Sequence, residues 1–173
     1  MTDLLSKLEG GDRRSVGRVD EVVADVLADP ALFAALFEGM LHDSPLVRMR
    51  AADAIEKLTA RHPEYLQPCK ARLMGEVARV NQQEVRWHVA QLFSRLDLDA
   101  DERRAVAAIL SGYLEDRSKI VKTFSMQALA DIAMQDEALR PPIVRQLEEL
   151  TRTGSPAMQS RGRKLLARLK RDG

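Results

Sequence analysis

Apolar residues recur along the chain with a helical period, and the same arrangement returns about every 37 residues. Val47, Val85, Val121 and Met158 align with steps of 38, 36 and 37 residues. The positions 4, 7, 8 and 11 residues further on are also mostly apolar or small, and this spacing places their side chains on one face of an α-helix. The pattern therefore predicts four copies of one amphipathic helix, each with a buried stripe.

The equivalent positions of the four copies form columns in this alignment, and most columns contain only apolar residues. Seven, eight and eleven residues after the first column stand Ala54, Leu92, Ala128 and Leu165, then Ile55, Phe93, Leu129 and Leu166, then Leu58, Leu96, Ile132 and Leu169. The column four residues on contains Ala51, Val89, Ser125 and Gly162. These residues are mostly small, so we expect neighbouring helices to approach closely at that level.

A second apolar pattern lies between successive copies, and it predicts that each unit is a pair of helices. Its members are Leu66, Leu73 and Val77, then Val106, Ile109, Leu110 and Leu114, then Ile143, Leu147 and Leu150. Helix starts are marked by Ser or Asp followed by Pro, by Asp99 with Glu102 as a capping box, and by prolines that open second helices. The predicted units are 15–42 as an N-terminal capping pair, 44–79, 82–115, 117–152 and a half-repeat at 155–171.

The motif D-x-x-x-V-R-x-x-A-x-x-A-[LI]-x-x-L, at Asp43 to Leu58 and more loosely at Asn81 to Leu96, resembles the HEAT family of helical repeats. The third unit departs from it through a displaced Asp116, and the fourth has Met158-Gln159 in place of Val-Arg. The resemblance implies that second helices line a concave face. With the stacking of repeats, we expect an all-α, right-handed α-solenoid of about four stacked helix pairs plus a C-terminal half-repeat helix, in one domain over 1–173.

Composition agrees with this fold class. Hydrophobic residues make up 45% of the chain and aromatic residues only 4%, which favours closely packed helices over sheets. The 27 basic and 26 acidic residues nearly cancel, so no global field draws the chain to nucleic acid or membrane. With no apolar segment of spanning length or targeting type, we expect a cytoplasmic protein that does not enter membranes.

Enzyme motifs are not evident. The chain has no G-x-S-x-G, no Gly-rich phosphate loop and no H-E-x-x-H, and its three histidines lack metal-ligand spacing. Cys69 is the single cysteine, and we expect it to be a small buried core residue. The sequence thus predicts a non-enzyme with no catalytic residue, cofactor or metal site. An activity like that of the alkylpurine DNA glycosylases built from HEAT-like repeats stays open as an analogy.

The expected function is a protein-binding scaffold or adaptor that uses the concave second-helix surface. Its candidate contacts are Lys70, Arg104 and Arg145 on second helices, with Arg86, Trp87 and His88 on a first helix as an alternative face. Arg86 belongs to the column Arg48, Arg86, Lys122 and Gln159. Two interpretations of this column stay open: its side chains bond to groups in neighbouring turns, or they bind an acidic partner. Trp87 points away from the stripe, either as an interface anchor or to pack on an adjoining helix. Arg50, His88, Phe124 and Arg161 form a second column, interpreted as a local patch.

The ends of the chain differ in charge. Residues 1–44 carry four basic and nine acidic residues, whereas 152–173 carry seven basic and one acidic. Three interpretations of the basic C-terminal helix stay open. It is a solvated helix end, or it contacts nucleic acid or an acidic chain, or it pairs with the acidic N-terminal end of a second copy in an antiparallel dimer. Nucleic-acid binding or DNA repair through basic residues and Trp87 is the alternative function, and homo-oligomer formation stays open.

Overall fold

The computed structural model describes residues 3–12 and 17–172. Every regular element in these two ranges is helical, so the all-α prediction is confirmed. The chain divides into two compact units, residues 1–96 and 97–173. The boundary falls between the two predicted helices of the unit 82–115. The single domain over 1–173 stays a prediction.

The described residues of unit 1 form five α-helices joined by short 3-10 turns. They are α1 (Val19–Ala28), α2 (Phe33–Glu38), α3 (Pro45–Thr59), α4 (Lys70–Gly75) and α5 (Gln83–Phe93). The predicted first helices are α1, α3 and α5, and they pack in succession, α1 on α3 and α3 on α5. Residues 15 and 16 of the predicted capping pair lie outside the described residues.

The predicted stripe is the core of these helices. Val47, Ala51, Ala54, Val85 and Val89 are all fully buried, as the alternation of apolar and polar positions requires. Polar side chains join the helices beside the stripe: the Arg95 guanidinium donates to Glu56 Oε1 at 2.6 Å, and Lys57 Nζ donates to Asp20 Oδ1 at 3.2 Å. Each first helix is thus held to the preceding one by packing and by an ion pair.

The second helices of unit 1 are more broken than the sequence pattern predicts. Between Pro63 and Arg79 the chain forms three 3-10 turns around the six-residue α4. Pro68 lies inside this segment and lacks the backbone N–H that a continuous helix would need. Leu66, Leu73 and Val77 are nevertheless fully buried, so the apolar pattern is satisfied without one regular helix.

An N-terminal 3-10 helix, Leu4–Leu8, packs against α1 and α3, and the sequence pattern did not predict it. The chain after it covers the side chain of Arg50, which is only 1% exposed. Arg50 Nη1 donates to the carbonyl oxygens of Leu8 and Gly10, at 2.8 and 2.6 Å, and Nη2 donates to that of Asp12 at 3.1 Å. Arg50 therefore belongs to the core, and the surface patch expected of its column is wrong at this residue.

The described residues of unit 2 form four helices of 14 to 17 residues: α6 (Ala100–Tyr113), α7 (Lys119–Gln135), α8 (Arg140–Thr153) and α9 (Pro156–Asp172). The predicted capping box forms at the start of α6, where Asp99 Oδ1 accepts from the Glu102 N–H and Glu102 Oε2 accepts from the Asp99 N–H, both at 2.8 Å. Gly154 follows the last residue of α8, as predicted. Here the helix signals in the sequence are confirmed.

The helices of unit 2 alternate as the repeat predicts. The first-helix elements α7 and α9 pack on each other, and α8 packs on both. Val121, Met158, Leu129 and Leu165 are buried, whereas Leu166 is half-buried. Helices therefore stack in order within each unit.

Candidate interaction surfaces

An open groove of about 310 Å³ lies between the second helices of unit 2, α6 and α8. Ser111 and Gln146 join the two helices there, with Gln146 Nε2 donating to Ser111 Oγ at 2.9 Å. The groove is lined by Ser111, Leu114 and Glu115 from α6 and the turn after it, and by Arg145, Gln146, Glu149 and Leu150 from α8. The predicted contact Arg145 is exposed at this groove.

The unit 2 groove combines apolar and charged side chains. Leu114 is 6% exposed and Leu150 is half-buried, so both present limited apolar surface. Glu115, Arg145 and Glu149 are exposed around them. Such a surface can take an apolar side chain of a partner while its rim pairs with charges of either sign.

A corresponding groove of about 360 Å³ lies in unit 1, between the segments that take the place of second helices. It is lined by Pro30, Ala31, Phe33 and Ala34 on one side and by Glu64, Tyr65, Pro68 and Cys69 on the other. The rings of Phe33 and Tyr65 lie 5.5 Å apart, tilted to each other. Lys70, the predicted contact in this unit, directly follows Cys69 and is half-buried.

Cys69 departs from its expected place in the core. Its side chain lies at the unit 1 groove and is half-exposed, so the prediction of a buried core residue is wrong. Burial still raises the pKa of its thiol above the usual value. The residue ends the 3-10 turn Gln67–Cys69, directly before α4, where the broken helix brings it towards the surface.

Arg104 occupies a different part of α6 from the unit 2 groove. Its guanidinium forms an ion pair with Asp101 one turn earlier, and the side chain is 60% exposed. It is not among the groove-lining residues. Arg104 and Arg145 therefore do not line the same groove in unit 2.

Three side chains of the column that contains Arg86 donate hydrogen bonds to nearby backbone carbonyl oxygens. Arg48 Nη1 donates to the carbonyl of His42 at 2.8 Å, and Arg86 Nε donates to that of Val80 at 3.3 Å. Gln159 Nε2 likewise donates to the carbonyl of Gly154 at 3.1 Å. These bonds fix the turns before α3, α5 and α9, which supports the structural interpretation of the column at these three residues. Partner binding by Arg86 stays a prediction.

His88 is buried against α3. Its Nδ1 lies 2.6 Å from the carbonyl oxygen of Glu84, and its Nε2 lies 3.6 Å from Asp53 Oδ1. Burial raises the pKa of Asp53, but His88 and Lys57 outweigh that effect and hold this pKa below its usual value. With 8% exposure, His88 joins α3 to α5 and presents little surface to a partner.

Trp87 lies beside His88, with ring centroids 5.7 Å apart, and is half-buried. This position is compatible with both interpretations of the residue, because its side chain is partly covered by the protein and partly exposed. Interface contact by Trp87 stays a prediction.

Several groove residues were not singled out by sequence reasoning. The apolar pattern places Leu114 and Leu150 in the core of second helices, and it gives no reason to single out Gln146 and Glu149. The available signal was their spacing: Gln146 and Leu150 are four residues apart and thus share one face of α8. Sequence alone does not tell which second helices face each other across a groove.

Other site types find little support in the part of the chain that the structure describes. Its His, Cys, Asp and Glu side chains form no group of three or more that could hold a metal ion. None of its helices combines the length and apolar character needed to cross a bilayer. A scan against protein-family models gives no match, and a search of curated proteins finds no similar sequence.

Proposed function

We propose that this chain is a non-enzymatic scaffold or adaptor that binds a protein partner through the grooves between its second helices. One observation carries the proposal: each unit has an open groove at the same place in the predicted repeat. In unit 1 the groove lies between the second segments of pairs 15–42 and 44–79, and in unit 2 between those of pairs 82–115 and 117–152. Recurrence at equivalent positions favours a surface built by the repeat over an accidental cleft.

The proposed architecture is a right-handed HEAT-like solenoid, continuous from the capping pair to the half-repeat. Its support is the ordered packing of first helices within each unit, together with recurrent ion pairs between them. Arg95 with Glu56 and Arg168 with Asp131 are 39 and 37 residues apart, which is one repeat. In such an array the second helices form one face and remain available to a partner.

The chemistry of the unit 2 groove favours a protein segment over a small molecule. Its apolar surface at Leu114 and Leu150 is shallow, whereas small-molecule sites usually enclose most of the ligand. A helix or extended chain could place one apolar side chain between α6 and α8 and meet Arg145 with a carboxylate. We therefore expect the partner segment to carry an acidic residue next to an apolar one.

Site-specific photo-crosslinking in cells tests this proposal. A photoreactive amino acid replaces Glu115, which lines the unit 2 groove and is exposed, and in a second protein it replaces Ala24, which is exposed on α1. We expect a discrete protein adduct from position 115 and none from position 24. The adduct at 115 should weaken when Arg145→Glu is added, because that change reverses the proposed contact charge.

Arg104→Glu is the matched control, since it makes the same charge change on an exposed arginine of unit 2 outside the groove. The adduct should persist with this variant. The proposal fails if position 115 gives no protein adduct, if position 24 gives the same one, or if Arg104→Glu and Arg145→Glu reduce it equally.

A further inference from the structure

Helix α9 separates its basic residues into two sets. Arg161 and Arg168 turn towards α7, where Arg161 Nη1 donates to Gln127 Oε1 at 2.7 Å and Arg168 Nη2 donates to Asp131 Oδ1 at 2.9 Å. Both side chains are half-buried. They therefore hold α9 in unit 2 and are not available as a free charged surface.

The other four basic residues lie on the outward side of α9. This side carries the exposed residues Pro156, Ala157, Ser160, Arg163, Lys164, Ala167, Lys170 and Arg171, and the exposed Asp172 follows Arg171 at the end of the helix. None of its four cations forms an ion pair with a carboxylate of residues 3–12 or 17–172. The outward side is thus positively charged and uncompensated within that part of the chain.

Helix geometry arranges these four cations in two rows. Because successive residues advance by about 100°, Arg163 and Lys170 share one edge of the exposed side, and Lys164 and Arg171 share the other. Within each row the two cations are seven residues apart, which is about 10 Å along the helix axis. Between the rows lie Pro156 at the helix start and the small side chains of Ser160 and Ala167, so a partner can approach the helix closely.

The composition of this side favours a phosphate backbone over a protein or a lipid surface. The exposed side carries no Leu, Ile, Val, Met, Phe, Tyr or Trp, the anchors that a protein interface or membrane insertion needs. A nucleic-acid duplex needs no such anchor, because its affinity for a basic surface comes from phosphate contacts and counterion release. Each of its strands carries one phosphate per 3.4 Å of axis, so about 10 Å corresponds to three nucleotide steps.

We propose that the outward side of α9 binds the phosphate backbone of duplex nucleic acid, without sequence preference, through Arg163, Lys164, Lys170 and Arg171. This surface is separate from the α6/α8 groove and adds a second partner class to the proposed protein contact. The net charge of the whole chain does not reveal this basic surface, because its 27 basic and 26 acidic residues nearly cancel.

Fluorescence anisotropy with two labelled DNA duplexes of unrelated sequence tests this inference on the full chain. Four phosphate contacts predict that log K falls against log salt with a slope of about −3.6, so affinity should drop on the order of 100-fold from 50 to 200 mM salt. Both duplexes should give the same affinity. The double variant Arg163→Gln with Lys170→Gln should halve the slope to about −1.8.

The matched control is Arg117→Gln with Lys119→Gln, which removes two exposed cations of unit 2 outside α9. It should leave the slope unchanged, and circular dichroism should show the same helix content in all three proteins. The inference is overturned if neither duplex binds at 50 mM salt, if the control pair flattens the slope as much as the α9 pair, or if polyglutamate of equal charge displaces DNA as well as unlabelled duplex does.

Discussion

At the scale of single residues, Gly162 sets how closely α8 and α9 pack. A methyl group at this position would lie 2.9 Å from Thr151 Cβ, nearer still to Thr151 Oγ1, and 3.3 Å from Met126 Cε. Thr151 cannot easily move aside, because its hydroxyl donates to the carbonyl of Leu147 at 2.6 Å. The small column of the repeat thus has a direct steric purpose here.

We expect Gly162→Ala to lower the free energy of unfolding by about 1–3 kcal/mol, since the added methyl group must push two helices apart. Gly112→Ala is the control, because a methyl group there meets no atom within 4 Å and alanine favours a helix. That variant should be neutral or more stable by up to about 1 kcal/mol. Urea unfolding followed by circular dichroism measures both; a harmless Gly162→Ala would contradict the close packing.

Arg50 marks a limit of prediction at the residue scale. Its column in the repeat predicts a local patch, and no local signal identifies its acceptors, which lie 38 to 42 residues earlier in the chain. Gly17 adopts a φ of +60°, and a methyl group on it would lie 2.9 Å from the Arg50 guanidinium carbon. The tertiary fold brings these backbone carbonyl acceptors to the buried guanidinium, and the local sequence pattern does not predict such long-range contacts.

At the scale of elements, recurrent ion pairs join neighbouring first helices within each unit. Arg95 of unit 1 is the most connected example. Besides Glu56 Oε1, its guanidinium donates to the carbonyl oxygen of Glu56 at 2.7 Å and to Thr59 Oγ1 at 2.8 Å. Thr59 is itself 1% exposed, so its hydroxyl depends on protein partners.

Arg95→Gln should destabilise unit 1 by about 1–3 kcal/mol, because the buried Thr59 hydroxyl and the Glu56 carboxylate lose a charged donor. Arg152→Gln is the matched change in an exposed pair within one helix, Arg152 with Glu149. Its effect should not exceed experimental error, since solvent screens such pairs. Equal effects of the two variants on thermal unfolding would contradict a special role for pairs between first helices.

First helices were predictable to a degree that second helices were not. The stripe of first helices repeats in strict register, and its columns are buried in both units with Leu166 as a half-buried exception. Second helices carry looser patterns, and prolines interrupt the one at 63–79. Periodicity reports the burial of a face, but it does not report whether the backbone between buried residues stays in one helix.

At the scale of the whole molecule, the candidate site was only partly accessible from sequence. The fold class and the choice of the second-helix face led to Arg145, which lies at a groove. Arg104 was chosen by the same reasoning and lies outside it, because helix exposure does not reveal which residues of two helices face a common cleft. The division of basic residues on α9 likewise required the contacts of Arg161 and Arg168.

We propose that one helical repeat continues through both units, and a distance between α5 and α7 tests this proposal most directly. Gln83 and Lys119 are exposed and occupy the same repeat position, two residues before Val85 and Val121. Spin labels on cysteines at both sites, in a Cys69→Ser background, are measured by pulsed electron resonance. Packed helices lie about 8–10 Å apart, and the label tethers add to this separation. We therefore expect a narrow distribution of distances between the two spin labels, at about 10–25 Å. A distribution centred well beyond that range, or one spread broadly, would contradict a continuous array.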